Sequence, residues 1–433
     1  MTDTPPAPEA TDAPKPKGAL EKYWFGVALW KRILLAVILG AVVGYFWGEG
    51  AENIKWLGDV FVRLIRMIVV PLVFVTLAAG VAAMGDLQRL GSIGVKALGL
   101  YMLTSLFAVC VGLAMGVIFQ PGVGVEIGTA EPRAIDTQVS VLDLLMNIIP
   151  TNPVAALANG DMLAIIFFAL VFGAGILVQG EPARPMASIL NQASEALLGA
   201  TRIVMEVAPF GVFALIAWVM GTSGPMAFAS VFKLAIAVYL GCALHMLIAQ
   251  IGLVRVLGNL PGLRFFRDIT EAQLVAYSTS SSAATLPVTM RVAEKNLGLK
   301  PPVFSSVLPL GATINMDGTA MYVALVTLFA AQVFGIPLEL SDYFVIALTT
   351  VMVSIGTASV PSASLFLMAT VLTTIGMSPE QIALVVGFIF PFDRILDMAR
   401  TATNVTGDLA VATTVGRWEK EMDEEVFRAP SAK

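Results

Sequence analysis

The sequence predicts an all-α membrane protein with eight transmembrane helices and two re-entrant helical hairpins, and three observations predict it. The 433-residue chain is 57% hydrophobic and only 13% charged, whereas a soluble domain carries roughly 25% charged residues. Many apolar segments reach the ~20 residues that a spanning helix needs. Two further apolar segments are interrupted by small, hydroxyl-bearing or helix-breaking residues. Such a chain has the lipid bilayer as a partner.

Eight apolar segments are predicted to span the bilayer. They lie at 28–48, 56–84, 94–119, 141–178, 190–220, 225–254, 303–334 and 381–414. Residues 1–22 are predicted to be a disordered cytoplasmic tail and 416–433 a second cytoplasmic tail. No small-residue cleavage site follows a short apolar run, so we expect no cleavable signal peptide and a first segment that stays as an anchor.

The distribution of Lys and Arg predicts the orientation, because cytoplasmic loops carry an excess of both. Basic residues open the first segment at Lys31 and Arg32 and follow the last at Arg417 and Lys420, whereas the loop after the third segment is mainly acidic. We therefore expect a multi-pass protein of the cell (inner) membrane with cytoplasmic N- and C-termini.

The segment 266–292 is predicted to form a re-entrant hairpin. Basic residues flank both of its ends, so both ends are expected on the cytoplasmic side. Seven hydroxyl side chains lie between 278 and 289, together with the helix breaker Pro287. Irregular backbone at membrane depth survives only where protein or a watery cavity surrounds it.

The segment 342–376 is predicted to form a second hairpin. The stretch 343–379 is uncharged, and as one helix it would be ~55 Å long, far more than a ~30 Å bilayer core. Small and breaker-prone residues occupy its middle, at 356–364. Acidic flanks without Lys or Arg indicate that this hairpin enters from outside.

Each hairpin precedes a helix that carries an Asn–Asp pair. The first helix holds Asn315 and Asp317, and the second holds Asn404 and Asp408. Broken segments in matching positions that enter from opposite sides are typical of inverted repeats with a binding site near the membrane midplane.

The last segment carries one polar stripe: Asp393, Asp397, Arg400, Thr401, Asn404 and Asp408. At ~100° per residue these side chains fall on one narrow face of a helix. Each Asp at the bilayer centre costs ~2.5–3.5 kcal/mol, so the stripe must face the protein interior. A purely structural ion-pair network is disfavoured, because three carboxylates against Arg400 leave surplus negative charge.

The types of side chain in the stripe fit an amino-acid site balanced by cations. Asp317 adds a fourth carboxylate, and carboxylate, amide and hydroxyl oxygens suit a hard cation such as Na⁺. Arg400 can bind a substrate carboxylate bidentately. Asp397, about one turn earlier, can hold a substrate ammonium group.

Two motifs, together with the Ser-rich hairpin, closely resemble the dicarboxylate/amino acid:cation symporter family of glutamate and aspartate transporters. They are Asn-Met-Asp-Gly-Thr at 315–319 and Asp-Met-Ala-Arg-Thr-Ala-Thr-Asn-Val-Thr-Gly-Asp at 397–408. The resemblance covers roughly 25–415. It implies a secondary active symporter that moves acidic amino acids into the cell with sodium ions, not an enzyme. It implies no organic cofactor and no nucleic-acid partner.

The resemblance also implies a homotrimer that works by an elevator mechanism, in which a transport domain slides against a fixed scaffold. The scaffold and trimerisation domain would comprise 23–90 and 139–222. The transport domain would comprise 91–138 and 223–415, including both hairpins.

The binding residues are implied by motif. The substrate contacts would be Ser281, Ser282, Thr319, Val360, Ser364, Asp397, Arg400, Thr401 and Asn404. Arg400 would bind the side-chain carboxylate of the substrate and Asp397 its amino group. Three sodium sites would be formed by Gly311, Asn315, Asn404 and Asp408; by Thr313, Ser354, Ile355 and Thr357; and by Tyr101, Thr104, Ser105, Asn315 and Asp317.

The chain departs from its relatives at the arginines near Asp397. Archaeal members have an arginine where this chain has Ser280, and animal members have one where it has Met398. Arg394 is nearby but lies about 120° from Arg400 on a helical wheel. Extra serines at the outer tip leave the preference between aspartate and glutamate open.

Other readings stay open. A C4-dicarboxylate symporter for malate, succinate or fumarate would have no ammonium for Asp397 to bind, and proton coupling is an alternative to sodium. A passive channel is less favoured. An intramembrane aspartyl protease is disfavoured because the chain has no Gly-x-Gly-Asp motif. The lone His245 is interpreted as a residue of the helix bundle.

Overall fold

A computed structural model describes residues 24, 26–27, 29–83, 91–125, 146, 148–355 and 362–428. Within these ranges every regular element is a helix, and the only β-type pairing is an isolated antiparallel bridge between Leu299 and Met422. The predicted all-α class is confirmed. The predicted N-terminal tail and the acidic loop after the third segment lie outside the described residues.

The described residues of the first half of the chain form seven α-helices. They are α1 Leu29–Trp47, α2 Lys55–Ala83, α3 Ser92–Phe119, α4 Pro153–Asn159, α5 Met162–Gln179, α6 Arg184–Met205 and α7 Ala208–His245. The predicted segment 141–178 divides into α4 and α5 at Gly160, whose φ of 76° favours glycine. The predicted boundary near 220–225 is a kink inside α7 at Gly224, where φ is 69°.

The described part of the second half contains nine more. They are α8 Gly262–Asp268, α9 Thr270–Thr279, α10 Ser282–Lys295, α11 Pro301–Ile314, α12 Asp317–Val333, α13 Leu340–Ile355, α14 Ala363–Thr374, α15 Pro379–Trp418 and α16 Glu424–Arg428. The predicted continuous segment 303–334 is broken between α11 and α12. Two π-helical turns, Met246–Gln250 and Leu253–Leu257, continue α7.

The predicted hairpins correspond to two pairs of short helices. α9 and α10 pack on each other across a break at Ser280, whose φ is 52°, and Ser281, which caps α10. α13 and α14 also pack on each other, and the segment 356–361 between them lies outside the described residues. That these pairs re-enter a membrane stays a prediction.

Apolar helices are present in numbers typical of a membrane protein. By length and composition, four stretches of the described residues are apolar and long enough to cross a membrane: Lys31–Leu64, Ser92–Phe119, Ala229–Leu257 and Pro301–Val333. A fifth exists if Glu181–Met205 and Ala208–Thr222, bent by 51°, form one span. The predicted count of eight stays a prediction.

α15 is the central helix of the fold. A capping box between Ser378 and Gln381 begins it, and it packs against α3, α7, α9, α10, α11, α12 and α14. Phe46 on α1 is 81% exposed, whereas Tyr322 and Phe329 on α12 are fully buried. Thus α12 and α15 lie inside the protein, and α1 presents an apolar surface suited to lipid.

Two glycines allow the backbones around α12 to touch. A Cβ on Gly112 of α3 would lie 2.2 Å from the carbonyl oxygen of Met321, and one on Gly318 would lie 2.4 Å from that of Arg400. Side chains larger than hydrogen are therefore excluded at both points. These contacts hold α3, α12 and α15 together where the polar residues of the site are concentrated.

Candidate substrate and cation site

The polar stripe of α15 is buried, as the sequence predicts. Asp393, Arg400, Asp408 and their neighbours on the stripe have at most 7% of their surface exposed. The break between α11 and α12 lies beside it. Met316 precedes the first turn of α12 with non-helical backbone, and the amide of Gly318 donates to Asn404 Oδ1 over 2.7 Å. The first amides of a helix have no partner within the helix, and Asn404 accepts from one of those of α12.

Arg400 is the centre of the predicted substrate half of the site. Its Nη2 donates to Asp393 Oδ1 at 2.9 Å and to Asp397 Oδ1 at 2.8 Å. Its Cζ lies 3.8 Å from the ring centroid of Tyr322, whose hydroxyl donates to Asp393 Oδ1 at 3.1 Å. Among the described residues, Nε and Nη1 of Arg400 and Oδ2 of Asp393 have no hydrogen-bond partner. The guanidinium thus retains donors for a further anion.

Of the four predicted carboxylates, the two that carry the surplus negative charge do not pair with Arg400. Arg400 is already paired with two carboxylates, and the excess is at Asp317 and Asp408. Both are buried, and neither forms an ion pair with Lys or Arg in the described part of the chain. Because buried carboxylates need compensation, these two acids are consistent with the predicted cation half of the site.

The cation half joins residues of three helices and the break. Asn315 Nδ2 donates to Asp408 Oδ1 at 3.0 Å, Thr104 Oγ1 donates to Asn315 Oδ1 at 3.3 Å, and Ser105 Oγ donates to Asp317 Oδ1 at 3.0 Å. These carboxylate, amide and hydroxyl oxygens are the ligands that a hard cation prefers. They are the residues named for the first and third sodium sites.

Tyr101 and Gly311 complete this cluster. The Tyr101 hydroxyl donates to the Val307 carbonyl at 2.9 Å. A Cβ on Gly311 would lie 2.5 Å from both the Tyr101 hydroxyl and Asp408 Oδ1. The backbone of α11 therefore reaches Asp408 only because position 311 is glycine.

Sequence reasoning missed His245 and Gln250, which face Asp317. His245 Nε2 lies 3.0 Å from Asp317 Oδ2, and Gln250 Nε2 donates to the same oxygen at 3.2 Å and to the Thr403 carbonyl at 2.9 Å. Residues five apart on an α-helix lie ~140° apart. The π turn after His245, with i to i+5 bonding, winds less per residue and brings both side chains to one carboxylate.

The second predicted sodium site, formed by carbonyls near Thr313, Ser354, Ile355 and Thr357, lies only partly within the described residues and is not tested. Thr357, and the substrate residue Val360, lie outside them. The Ser354 hydroxyl donates to the Val351 carbonyl, Ile355 ends α13, and the Thr313 hydroxyl donates to the Pro309 carbonyl. The grouping of these residues around a cation stays a prediction.

The remaining predicted substrate residues lie around the two hairpins and the stripe. Ser282, Thr319, Ser364 and Thr401 are buried, and the outer hairpin reaches the stripe where the Ser362 amide donates to Asp397 Oδ2 at 3.0 Å. Ser281 caps α10 by accepting from the Ala284 amide. Both oxygens of Asp397 therefore already accept hydrogen bonds.

Comparison with known proteins identifies the family. The sodium:dicarboxylate symporter family matches residues 29–418. The chain belongs to this family. It is 36% identical over 406 residues to a proton/sodium-glutamate symport protein of Bacillus caldotenax, covering 91% of this chain and 95% of that protein. The corresponding Bacillus subtilis protein is 36% identical over 412 residues, with 92% and 94% covered.

A second group of family relatives carries another substrate name. A C4-dicarboxylate transport protein of Anaeromyxobacter sp. (strain K) is 34% identical over 414 residues, with 93% of this chain and 92% of that protein covered. The family predicted from the motifs is thereby confirmed for this helical membrane protein. The sodium:dicarboxylate symporter family thus includes relatives named for amino-acid transport and relatives named for C4-dicarboxylate transport.

Proposed function

We propose that the chain is a secondary active symporter that moves aspartate or glutamate into the cell together with sodium ions. The observation that carries this proposal is a buried site in two halves. One half holds Arg400 with Asp397, and the other holds Asp317 and Asp408, which form no ion pair with Lys or Arg among the described residues. An acidic amino acid fits the first half, and co-transported cations fit the second.

The substrate would bind by using donors and acceptors of α15. Its side-chain carboxylate would accept from Arg400, which retains two nitrogens without partners in the described structure. Its ammonium would lie against Asp397, replacing part of the hydrogen bonding from Arg400 and Ser362. Arg400 stays positioned by Asp393 and by the ring of Tyr322.

The two halves share one structural link. Asn404 lies between Arg400 and Asp408 on α15 and bonds to the first turn of α12 at Gly318. Cations bound at Asn315 and Asp317 would fix the position of α12, and α12 would in turn position Asn404 through the Gly318 amide. Substrate and cations would therefore favour the same arrangement, which is the condition for thermodynamic coupling.

The domain division and elevator mechanism belong to the same proposal. α3, α9, α10, α11 and α12 all pack on α15, whereas α2 packs on α5 and α6. This supports a transport domain of 91–138 and 223–415 beside a scaffold of 23–90 and 139–222. The Gly224 kink in α7 lies at the boundary between them. The proposal also includes eight membrane spans and two hairpins that enter from opposite sides. It further includes a homotrimer in the inner membrane with cytoplasmic termini.

A second candidate is a C4-dicarboxylate symporter. Both oxygens of Asp397 already accept hydrogen bonds, and a dicarboxylate without ammonium would leave those bonds in place. Relatives named as C4-dicarboxylate transport proteins are nearly as similar as those named for glutamate. For the co-transported ion, the alternative to sodium is the proton.

Uptake into proteoliposomes tests these candidates. Labelled aspartate, glutamate and malate are supplied under separate sodium and proton gradients. We expect concentrative uptake of aspartate or glutamate only with an inward sodium gradient. Preference for malate would favour the C4-dicarboxylate candidate, uptake with a proton gradient alone would contradict sodium coupling, and purely downhill flux would indicate a channel.

A further inference from the structure

Gln250 connects the predicted cation half of the site to the last long helix by side-chain hydrogen bonds. It ends the first π turn after α7 and is fully buried. Its Nε2 donates to Asp317 Oδ2 at 3.2 Å and to the Thr403 carbonyl of α15 at 2.9 Å. A side-chain amide nitrogen has two hydrogens to donate, so both are used. Gln250 is not among the residues that the motif resemblance names.

The orientation of the Gln250 amide follows from its two partners. An ionised carboxylate and a carbonyl oxygen only accept hydrogen bonds, so the nitrogen and not the oxygen of the amide must face them. Oε1 is buried and has no hydrogen-bond partner among the described residues, and a buried acceptor without a partner is destabilising. An apolar side chain of similar length would avoid that cost. The two donated bonds are therefore what a glutamine supplies at this position.

Gly407 allows these polar groups to meet on the backbone of α15. A Cβ at position 407 would lie 2.8 Å from both Gln250 Nε2 and Asn315 Nδ2, and 3.0 Å from Asp317 Oδ2. Residues four apart lie on the same face of an α-helix, so Thr403 and Gly407 present one face of α15 to this cluster. The Gln250 amide is therefore packed against the α15 backbone beside two predicted cation ligands.

Gln250 differs from His245 in what it joins. His245 Nε2 also lies close to Asp317 Oδ2, at 3.0 Å, but its other ring nitrogen, Nδ1, has no hydrogen-bond partner among the described residues. The hydrogen bonds of the His245 ring therefore orient the carboxylate alone. Gln250 holds the same carboxylate oxygen and also ties it to the carbonyl of Thr403.

The Thr403 carbonyl belongs to the turn of α15 that carries predicted substrate contacts. Thr403 follows Arg400 by three residues and directly precedes Asn404. A cation bound at Asp317 would hold that carboxylate in place, and Gln250 would transmit its position to this turn. Without the cation, a displaced Asp317 would shift Gln250 and the same turn with it. The contacts thus add a second connection to the one through Asn404.

We propose that Gln250 is a positioning residue that couples sodium binding at Asp317 to substrate binding at Arg400. The proposal rests on the proposed function, in which these two residues bind the two ligands. Loss of Gln250 then weakens the effect of sodium on substrate affinity more than it changes the affinity for either ligand alone. The effect of each ligand on the other is reciprocal, so the same loss is measurable from both sides.

Calorimetric titrations of the full-length protein measure this coupling. Dissociation constants are determined for aspartate at low and at saturating sodium, and for sodium without and with saturating aspartate. Gln250→Met keeps the length of the side chain and removes both donors. The ratio between the two aspartate constants should fall about tenfold, because two hydrogen bonds are lost and one of them is to a charged group. The ratio between the two sodium constants should also fall, as reciprocity requires.

A matched control removes a glutamine that makes the same number of hydrogen bonds. Gln332, about four turns from Asp317 along α12, donates to the Gly116 carbonyl and accepts from the Gly122 amide. Gln332→Met should leave both ratios unchanged. Gln250→Asn keeps the amide but is one methylene too short to reach both acceptors, so the aspartate ratio should fall about threefold for one lost hydrogen bond. If Gln250→Met does not fold, Gln250→Asn alone must show this loss.

Equal weakening of aspartate binding at low and at saturating sodium in Gln250→Met would indicate a merely structural role and overturn the proposal. An unchanged aspartate ratio, or an equal fall in Gln332→Met, would also overturn it. Failure of the proposed function is distinguishable, because wild-type protein would then bind neither aspartate nor glutamate, or bind them regardless of sodium. If wild type binds malate with sodium instead, the same titrations are run with malate, and Gln250→Met should lower the malate ratio by a similar factor.

Discussion

Arg400 and Asp317 lie in one buried network but have opposite requirements. Arg400 is a cation held by two acids and an aromatic ring. Asp317 is an acid held by the neutral donors Ser105 and Gln250 and by His245. Two nitrogens of Arg400 without hydrogen-bond partners in the described structure can donate to an anion, whereas a cation would balance the charge of Asp317.

Substitution of Arg400 should abolish transport and also reduce stability. In Arg400→Ala we expect no measurable uptake of aspartate or glutamate. Because Asp393 and Asp397 would be left buried without their partner, unfolding should be easier by about 3–5 kcal/mol. Uptake assays and thermal unfolding measure the two effects. Arg400→Lys, which retains charge, should fold better and still bind poorly; unchanged aspartate affinity in either variant would contradict the assignment.

Substitution of Asp408 should weaken the response to sodium more than the fold. Asp408→Asn removes the negative charge but leaves an oxygen near Asn315 Nδ2. We expect aspartate binding to need at least tenfold more sodium, because a ligand charge is lost. Binding titrations at several sodium concentrations measure this, and Asp317→Asn should behave in the same way. An unaltered sodium response in both variants would reject the cation site.

Removal of His245 should shift the sodium response without touching a predicted ligand. Loss of a residue that orients a metal-binding carboxylate commonly costs 10–100-fold in metal affinity. We therefore expect His245→Leu to raise the sodium concentration for half-maximal aspartate binding by about tenfold or more. Aspartate affinity at saturating sodium should stay the same. Thr327→Val, which removes a buried hydroxyl bonded only within α12, is the matched control and should show no shift.

Sequence alone predicts which residues of α15 face inward, because that depends only on helical spacing. It does not predict how side chains of different helices pair. Tyr322 on α12 and His245 on α7 are single polar residues in apolar surroundings, and their partners become visible only when the helices are packed. The available signal for His245 was a lone histidine in an apolar run. A π turn aligns His245 with Gln250, and no spacing pattern in the sequence predicts that turn.

At the scale of elements, the site is built where helices stop. The break at Asn315–Met316 and the hairpin tip at Ser280–Ser281 bring backbone groups and short polar side chains to α15. Sequence analysis predicted the hairpin break from its hydroxyl residues and proline. It took 303–334 as one continuous segment, because long apolar runs flank the short motif at 315–319 on both sides. Ends of helices depend on local hydrogen bonds that an apolar pattern does not record.

Cysteine labelling tests the predicted entry of the hairpins from opposite sides. The native Cys110 and Cys242 are first replaced by Ser or Ala, and single cysteines are introduced by Ser281→Cys and Ser362→Cys. We expect an impermeant thiol reagent to label the first from the cytoplasmic side and the second from outside, because only the first hairpin has basic flanks at both ends. Labelling of both from one side would contradict the two-hairpin topology.

At the scale of the whole molecule, the buried polar side chains of the site and the exposed apolar side chains lie on different helices. Large apolar side chains of α1, such as Leu35 and Phe46, are exposed in the isolated chain, and α2 packs mainly on α5, α6 and α7. The polar residues lie on α3, α12 and α15. This separation supports an outer scaffold that meets lipid or other copies and an inner unit that holds the site.

The mass of the purified protein tests the assembly. We expect three copies of the 45.7 kDa chain in one particle, because the family resemblance implies a homotrimer. Light scattering with correction for bound detergent, or native mass spectrometry, measures the copy number. A particle of one or two copies would contradict the scaffold role assigned to 23–90 and 139–222.

The glycine contacts at Gly112 and Gly318 restrict which changes in sequence this protein can accept during evolution. Even a methyl group at either position would collide with backbone of the neighbouring helix. A change that moves α12 to suit a different ion therefore also displaces α3 and the turn of α15 that carries Arg400. Ion choice and substrate choice are expected to change together among descendants of this sequence, seldom one alone.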